Sequence, residues 1–547
     1  MMQRRMKPLL AALLSIPALS HAAPPGAGEL LQQIQPSLPP APSSNDTGLK
    51  LEGAKGEKLP ATKPFLVKRI EIVGNTLFDT ATLHALVAGS EGSELTLPDL
   101  EKLAARITDY YHANGYPLSR AIIPAQTIHD GVVRIEVIEA KYGKIRLDNR
   151  SRVNSPLIQD TLSSLKSGSP IAQKQMDHAL LLLSDVPGIS VDATLKPGEK
   201  VATSDLNVVT EAAPFVSGSA MLDDYGNKYT GRNRVGATVF ISNPLHHGDV
   251  LSVSGLSSGS GMNYGRVAYD TLLNGSGTHA GASYSALHYI LGDSLSSLNG
   301  HGTADVGSAW MKHPIVRSRD LNLYGQIQYD NLKLRDHIDA TGIRTDRHLD
   351  NVTGTLSGDN RNVDGVNTWS LDLTSGHVGF DDSAAQLADA ATAQTQGSFS
   401  KWNLNLSRLQ SLGPMTSLYA ALSGQWANSN LDPSQQMVAG GPYTVRAYDM
   451  GVLSGDEGYL GTVELRHNLN SYWQAIAFWD SEHVTVNRNT WVAGTNSATL
   501  TGAGVGLNWT NGSWSVKTYV AARIDTPNAL VPVSSATRVW GQIGKGF

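Results

Sequence analysis

From Pro214 to Phe547 the chain alternates apolar and polar residues with a period of two, and it contains no run of about 18 apolar residues. Leu321, Leu323, Gly325, Ile327 and Tyr329 alternate with Asn322, Tyr324, Gln326, Gln328 and Asp330. Trp369, Leu371 and Leu373 alternate with Ser370, Asp372 and Thr374, and Trp402, Leu404 and Leu406 with Asn403, Asn405 and Ser407. Such segments are strands with one apolar and one wet face, and in a bilayer only a closed barrel leaves no unpaired strand edge. A β-sandwich or lipocalin-like barrel is the soluble competitor. It fits poorly, because the second face carries Asn, Gln, Asp, Arg and Ser in place of a packable core. At roughly 21 residues per strand with its turn, the 334 residues from 214 to 547 allow about sixteen strands, enough for a wet lumen. The last strand keeps the phase, with Val539, Gly541, Ile543 and the terminal Phe547 on the apolar face and Lys545 placed to snorkel. Phe547 is read as the barrel-terminal assembly signal.

The first 22 residues read as an export signal. Arg4, Arg5 and Lys7 precede an apolar run from Leu9 to Leu19, and Ser20-His21-Ala22 offers a cleavage point after Ala22. Next, Glu29–Gln35 can form two helical turns with Leu30, Leu31 and Ile34 on one face, stopped by Pro36. So short a helix must dock on something to persist. The Pro-, Gly- and Ser-rich stretch 37–64 reads as a flexible linker.

Helical periodicity is confined to residues 65–213. Phe65–Val73 is a strand, Asp79–Val87 a short helix, and Thr96 caps a longer one with Leu100, Leu103, Ala104, Ile107 and Tyr111 inward. Two strands follow, about Ser119–Ala125 and Val132–Ala140. This β-α-α-β-β order recurs over 142–213, with helices at Pro156–Leu165 and Ile171–Leu183.

Composition excludes several function classes. With 43 Lys+Arg against 48 Asp+Glu the net charge is −5, so the chain is no nucleic-acid polycation. Zero Cys removes thiolate nucleophiles, iron–sulfur clusters and Cys-type zinc sites. Gly255-Leu256-Ser257-Ser258-Gly259 matches G-x-S-x-G formally but lacks the strand–turn–helix context that chemistry needs. Gly275-Ser276-Gly277 with Ala280 imitates a dinucleotide loop as emptily, and His246-His247 has no third ligand. No catalytic residue, cofactor or metal is expected, and the chain does not read as an enzyme. The basic cluster Lys144, Arg146, Arg150 and Arg152 is read first as a solvated face.

One loop of about thirty residues, Asn428–Gly458, exceeds ordinary connections, and long loops are usually functional. Its only basic residue, Arg446, sits among Asp432, Asp449, Asp456 and Glu457. In Trp473–Asp480 the odd positions suit lipid, which turns Gln474, Phe478 and Asp480 inward. An Arg446–Asp480 contact would matter as a bidentate, partly desolvated pair.

The stretches Val445-Arg446-Ala447-Tyr448, Ser454–Tyr459 leading into Glu464-Leu465, Phe478-Trp479-Asp480 and His313–Arg319 resemble those of two-partner secretion transporters, the B components of the haemolysin and filamentous-haemagglutinin group. The likeness spans the whole chain: signal, plug helix 23–36, linker, two POTRA modules (65–141 and 142–213) and barrel 214–547. It implies an outer-membrane transporter with periplasmic POTRA modules that secretes one large exoprotein without ATP. That partner would be haemolysin-, haemagglutinin- or adhesin-like, or a contact-dependent inhibition toxin. Outer-membrane lipid and the barrel-assembly machinery are the other partners. It further implies that the sixth extracellular loop folds into the pore, with Val445, Arg446 and Tyr448 at its tip and Arg446 on Asp480 beside Phe478. The family usually has Gly where this chain has Ala447, and a Gly-type turn with φ > 0 would strain an alanine. The alternatives are an insertase of the same superfamily, which usually carries more modules, and a passive porin, which would have neither modules nor plug.

Overall fold

The alternating half closes on itself. A computed structural model describes residues 24–34, 44–51, 63–525, 529–531 and 535–547; the expected signal segment lies outside them. Sixteen antiparallel strands form the barrel. The first six are β10 (Val216–Asp223), β11 (Arg234–Ser242), β12 (Val250–Ser257), β13 (Met262–Leu272), β14 (His279–Ile290) and β15 (Gly300–Arg317). The next five are β16 (Leu321–Ile338), β17 (Ile343–Asn362), β18 (Gly365–Phe380), β19 (Gly397–Ser411) and β20 (Thr416–Ala427). After a small hairpin, β21 (Met437–Ala439) and β22 (Leu453–Gly455), come β23 (Glu457–Asn468), β24 (Trp473–Thr485), β25 (Ser497–Asn511), β26 (Trp514–Arg523) and β27 (Thr537–Gly546). β10 and β27 close the ring over Ser219–Asp223 and Gln542–Gly546, and the main-chain N–H of Gly218 and of Phe547 each donates to the other's carbonyl at 3.0 Å.

The phase read from the sequence decides which side each residue faces. Ile327, Tyr329, Leu373, Trp402, Leu406, Trp473, Trp479, Val539, Ile543 and Phe547 are exposed on the outer wall. The Lys545 ammonium lies 4.8 Å from the centre of the Trp514 ring, an amphipathic pairing suited to a membrane boundary. Phe478 and Asp480 are buried inside.

The amino-terminal half adds helix α1 (Ala27–Ile34), strand β1 (Leu49–Leu51) and two α+β modules. In the first, β2 (Phe65–Val67) pairs with β4 (Ser93–Leu95), while β3 (Arg69–Val73), β6 (Val132–Ile138) and β5 (Arg120–Ile122) form a separate sheet. Helices α2 (Thr80–Ala85) and α3 (Leu97–Ala113) cover it. α3 starts at a Thr96–Asp99 capping box and buries Leu100, Leu103, Ala104, Ile107 and Tyr111, the stripe its spacing predicts. The single strand expected over Phe65–Val73 is two, because the chain bends at Lys68 to pair with two partners.

The second module has strands β7 (Lys141–Arg150), β8 (Ile189–Pro197) and β9 (Thr203–Ala212) and helices α4 (Ser155–Thr161) and α5 (Gln173–Ser184). Its sheet has the order β1-β8-β9-β7. Part of the stretch expected to be a flexible linker is therefore an edge strand, with Leu49, Lys50 and Leu51 parallel to Ala193, Thr194 and Leu195. Composition argued against a core there, and backbone pairing to an open edge needs none.

Candidate functional site

Among the described residues, two elements occupy the barrel lumen. The first is α1, whose Ala27, Leu30 and Leu31 are buried against Leu287, Tyr289, Leu332, Leu334 and Leu349 of the inner wall, with Ile34 at the margin. The Ala27 N–H donates to Asp336 at 2.7 Å, and Asn227 donates to Gln33 at 3.1 Å. Burying a leucine contributes ~1.5–3 kcal/mol, so two leucines and a few hydrogen bonds hold the helix without making its departure prohibitive.

The second is the loop L6 (428–456) between β20 and β23, the sixth loop on the side away from the modules. It folds back into the lumen, and each of its carboxylates has a partner. Asp432 pairs with Arg347 of β17, and Asp449 with Arg232 and Arg538. Asp456 accepts from Leu431 N–H at 3.0 Å and Arg488 N–H at 2.8 Å.

At the loop tip Arg446 is buried. Its Nε and Nη2 donate to the two Asp480 oxygens at 2.9 and 2.7 Å, and Nη1 donates to Glu464 at 2.7 Å. The guanidinium carbon stands 3.5 Å from the centre of the Phe478 ring and 5.4 Å from that of Tyr519. Phe478 thus provides a face for the cation as well as lying beside it. The indole N–H of Trp540 donates to the Arg446 carbonyl at 2.7 Å. Val445 packs among Phe478, Leu500 and Ala521, while the Tyr448 hydroxyl donates to Asp525.

Arg446, Asp480, Phe478, Val445 and Tyr448 are thus brought together, and Leu30, Leu31 and Ile34 are placed in the lumen with them. Glu464 and Trp540 are additional partners. Alternation already points Glu464 inward, since Tyr459, Val463 and Leu465 are exposed, and Trp540 stands on the polar phase of the last strand. Arg347 is a third, and no local pattern singles it out.

Ala447 causes no strain. The turn is closed by the Tyr448 N–H donating to the Val445 carbonyl at 3.1 Å, and Ala447 is absent from the residues with positive φ. The left-handed positions of L6 are Gly440, Gly441 and Gly451. Room for the alanine methyl comes from the wall, where a Cβ on Gly502 would lie 2.4 Å from that of Ala447.

At the other mouth the His313–Arg319 segment meets the second module. A bulge interrupts β15 between Pro314 and Val316. Beyond it, Arg317 Nε and Nη2 donate to Asp185 at 2.6 and 2.7 Å, and Arg319 Nη2 donates to Asp177 at 2.7 Å and to Thr47 at 3.1 Å. Of the basic cluster, Lys144 and Arg150 pair with exposed carboxylates and Arg152 lies over Phe215. The Gly255–Gly259 match sits in a hairpin between β12 and β13, and among the described residues no group of His, Asp and Glu is placed to hold a metal ion.

Comparisons with known proteins agree with this geometry. A model of POTRA domains of the ShlB type matches residues 65–140. The heme/hemopexin transporter protein HuxB of Haemophilus influenzae (strain 86-028NP) is 28% identical over 86% of this chain and 84% of its own length. The outer membrane transporter CdiB of Escherichia coli O6:K15:H31 (strain 536 / UPEC) is 24% identical over 86% of this chain and 80% of its own length. A solved structure of CdiB from Escherichia coli shares the fold with a TM-score of 0.69 and 21% identity, covering 91% of this chain and 92% of the other. A model of the haemolysin secretion/activation proteins ShlB/FhaC/HecB matches residues 202–509, more than half of the chain, which therefore belongs to that family.

Proposed function

We propose that this transporter carries one large exoprotein across the outer membrane by two-partner secretion, and that α1 and L6 are its two resting gates. The observation that carries the reading is α1 lodged in the lumen against L6, on a tether whose strand β1 rests on the edge of the second module.

The partner enters unfolded at the two α+β modules, which we read as POTRA modules. It binds by adding a strand to an exposed edge, where backbone hydrogen bonds supply affinity and ask little of side chains. Edge β8 already holds β1, so capture there and release of the tether are the same exchange of strands. Withdrawal of α1 opens a channel walled by Ser283, Ser308, Gln328, Thr353 and Asn403, groups that hydrogen-bond any passing main chain. L6 then shifts by parting Arg446 from Asp480, and folding of the partner outside supplies the drive. Given the likeness to HuxB, an exoprotein concerned with heme or hemopexin is the first partner to test.

Planar-bilayer conductance of the chain lacking residues 24–34 tests the plug. The expected result is a channel open most of the time; a channel as closed as that of the intact chain would refute the reading.

A further inference from the structure

We propose that Arg347 couples the two gates, so that the plug helix and L6 are released together. Arg347 stands on β17 with its side chain buried between two carboxylates. Nη1 donates to Asp336 at 2.8 Å, and Nε donates to Asp432 of L6. Each carboxylate holds one gate. Asp336 accepts the Ala27 N–H of α1 at 2.7 Å, together with the Tyr289 hydroxyl at 2.7 Å. Asp432 accepts the Ser434 N–H at 2.9 Å, which shapes the turn 432–435. That turn reaches back to the helix: the Ser434 carbonyl accepts from the Gln32 amide at 2.5 Å. Gly28 passes so close that a Cβ there would lie 2.7 Å from the Ser434 side chain. The contacts form a closed ring from Ala27 through Asp336, Arg347, Asp432 and Ser434 to Gln32.

A buried guanidinium needs both of its carboxylates, because a charge left unpaired away from water is strongly disfavoured. Departure of α1 removes the Ala27 donor and the Gln32 donor and admits water to the Asp336–Arg347–Asp432 line. A hydrated ion pair is far weaker than a buried one, so the turn at the root of L6 loosens. The reciprocal holds by linkage: displacing L6 weakens the site that holds α1. The Arg347 side chain donates to Asp336, Asp432 and the Thr345 carbonyl rather than to the Arg446 tip, and it acts by positioning the two gates.

The inference rests on the reading of α1 as a resting plug, and the test separates the two. Because the chain has no Cys, nitroxides attached at S429C, three residues before Asp432 in L6, and at S375C on the outer wall report L6 away from the cavity that α1 lines. Their distance distribution and the bilayer open frequency are measured for the intact chain, the chain lacking residues 24–34, Arg347→Met and Asp432→Asn. Heat-modifiable mobility confirms that each barrel is folded, and Asp432→Asn leaves the barrel wall unaltered should Arg347→Met fail to assemble. The expected result is a narrow distribution and rare openings in the intact chain, with a broad distribution in the other three. Both substitutions should raise the open frequency at least tenfold. An open channel with a still narrow L6 distribution after removal of α1 would overturn the coupling and leave the plug standing. A closed channel after that removal would overturn the plug itself. Unchanged open frequency in both substituted chains would remove Arg347 from any gating role.

Discussion

Arg446 and Asp480 face each other side-on, two N–H groups of one meeting both oxygens of the other at 2.9 and 2.7 Å, under the Phe478 ring and buried inside the barrel wall. Truncating one partner of a buried ion pair costs about 3–5 kcal/mol, mainly through the charge left behind. Here Asp480 would be left without its cation while Glu464 keeps Arg466, so Arg446→Ala should abolish secretion of the partner while the barrel still assembles. Arg446→Lys keeps the charge but lacks the planar fork that meets both Asp480 oxygens while reaching Glu464, and should retain only a small fraction of wild-type secretion. Partner in the culture medium, set against heat-modifiable mobility of the barrel, measures both.

The Ala447–Gly502 contact yields a second prediction. Gly502→Ala would place two methyl carbons 2.4 Å apart, an overlap that ordinarily costs ~1–3 kcal/mol. Secretion should fall severalfold in Gly502→Ala and recover in the double variant Ala447→Gly/Gly502→Ala. Failure of the second change to restore it would mean that the wall glycine serves some other purpose.

Much of this was legible in the sequence, for identifiable reasons. Alternation fixes the face of every strand residue, so the inward Phe478 and Asp480 and the lipid-facing Trp473 and Trp479 followed from phase alone. The α3 stripe followed from helical spacing. The Arg446–Asp480 pair was half legible: phase turns Asp480 inward and L6 holds one cation to meet it, while the family resemblance implies that the two, 34 positions apart, do meet. Arg347, Arg232 and Arg538 were not found, because each answers an L6 carboxylate from a distant strand or loop, and closure of the ring sets which strands face each other. The β1 strand is not legible locally, because a parallel edge strand of three residues bears no signal beyond its neighbours' open hydrogen bonds. The Gly-type turn that would strain Ala447 does not form there, because the left-handed positions of L6 are Gly440, Gly441 and Gly451.

Strand β1 occupies an edge that an incoming chain could use, so weakening it should favour capture. Lys50→Pro removes a main-chain donor from the middle of the strand. Each strand hydrogen bond contributes ~1 kcal/mol net, and losing one competitor bond should raise affinity for the partner's amino-terminal region about fivefold. Titration calorimetry on the detergent-solubilised transporter reads this directly, and unchanged affinity would place the binding edge elsewhere.

Arg317 and Asp185 fix the second module to the barrel mouth by a bidentate pair. Asp185 is about one-third exposed, with a side-chain accessibility of 34%, so solvent screening reduces the effect of breaking the pair to ~1–3 kcal/mol. Asp185→Asn should broaden the distance distribution between nitroxides on the module and on the barrel rim, and lower secretion. The exchanged pair Arg317→Asp/Asp185→Arg should recover part of both.

The first module contains a carboxylate whose titration sets an acid limit on its stability. Burial pushes the Glu139 carboxyl upward, but hydrogen bonds from the Thr76 hydroxyl, the Leu77 and Thr76 N–H groups and the Tyr111 hydroxyl outweigh it, so the group lies below its ordinary value. A carboxylate depressed in the folded state stabilises fully above its unfolded pKa of about 4.3, and the stabilisation is lost as pH falls through the lower folded value. Thermal unfolding of the module should therefore be insensitive to Glu139 between about pH 5 and 8 and should shift downward below about pH 4. Glu139→Gln removes the charge that accepts these bonds, at about 1.5–3 kcal/mol for a charged hydrogen-bonding group. That variant should begin at a lower melting temperature at neutral pH and lose the acid-dependent part of the decline. An acid decline as steep as that of the wild type would assign it to other carboxylates.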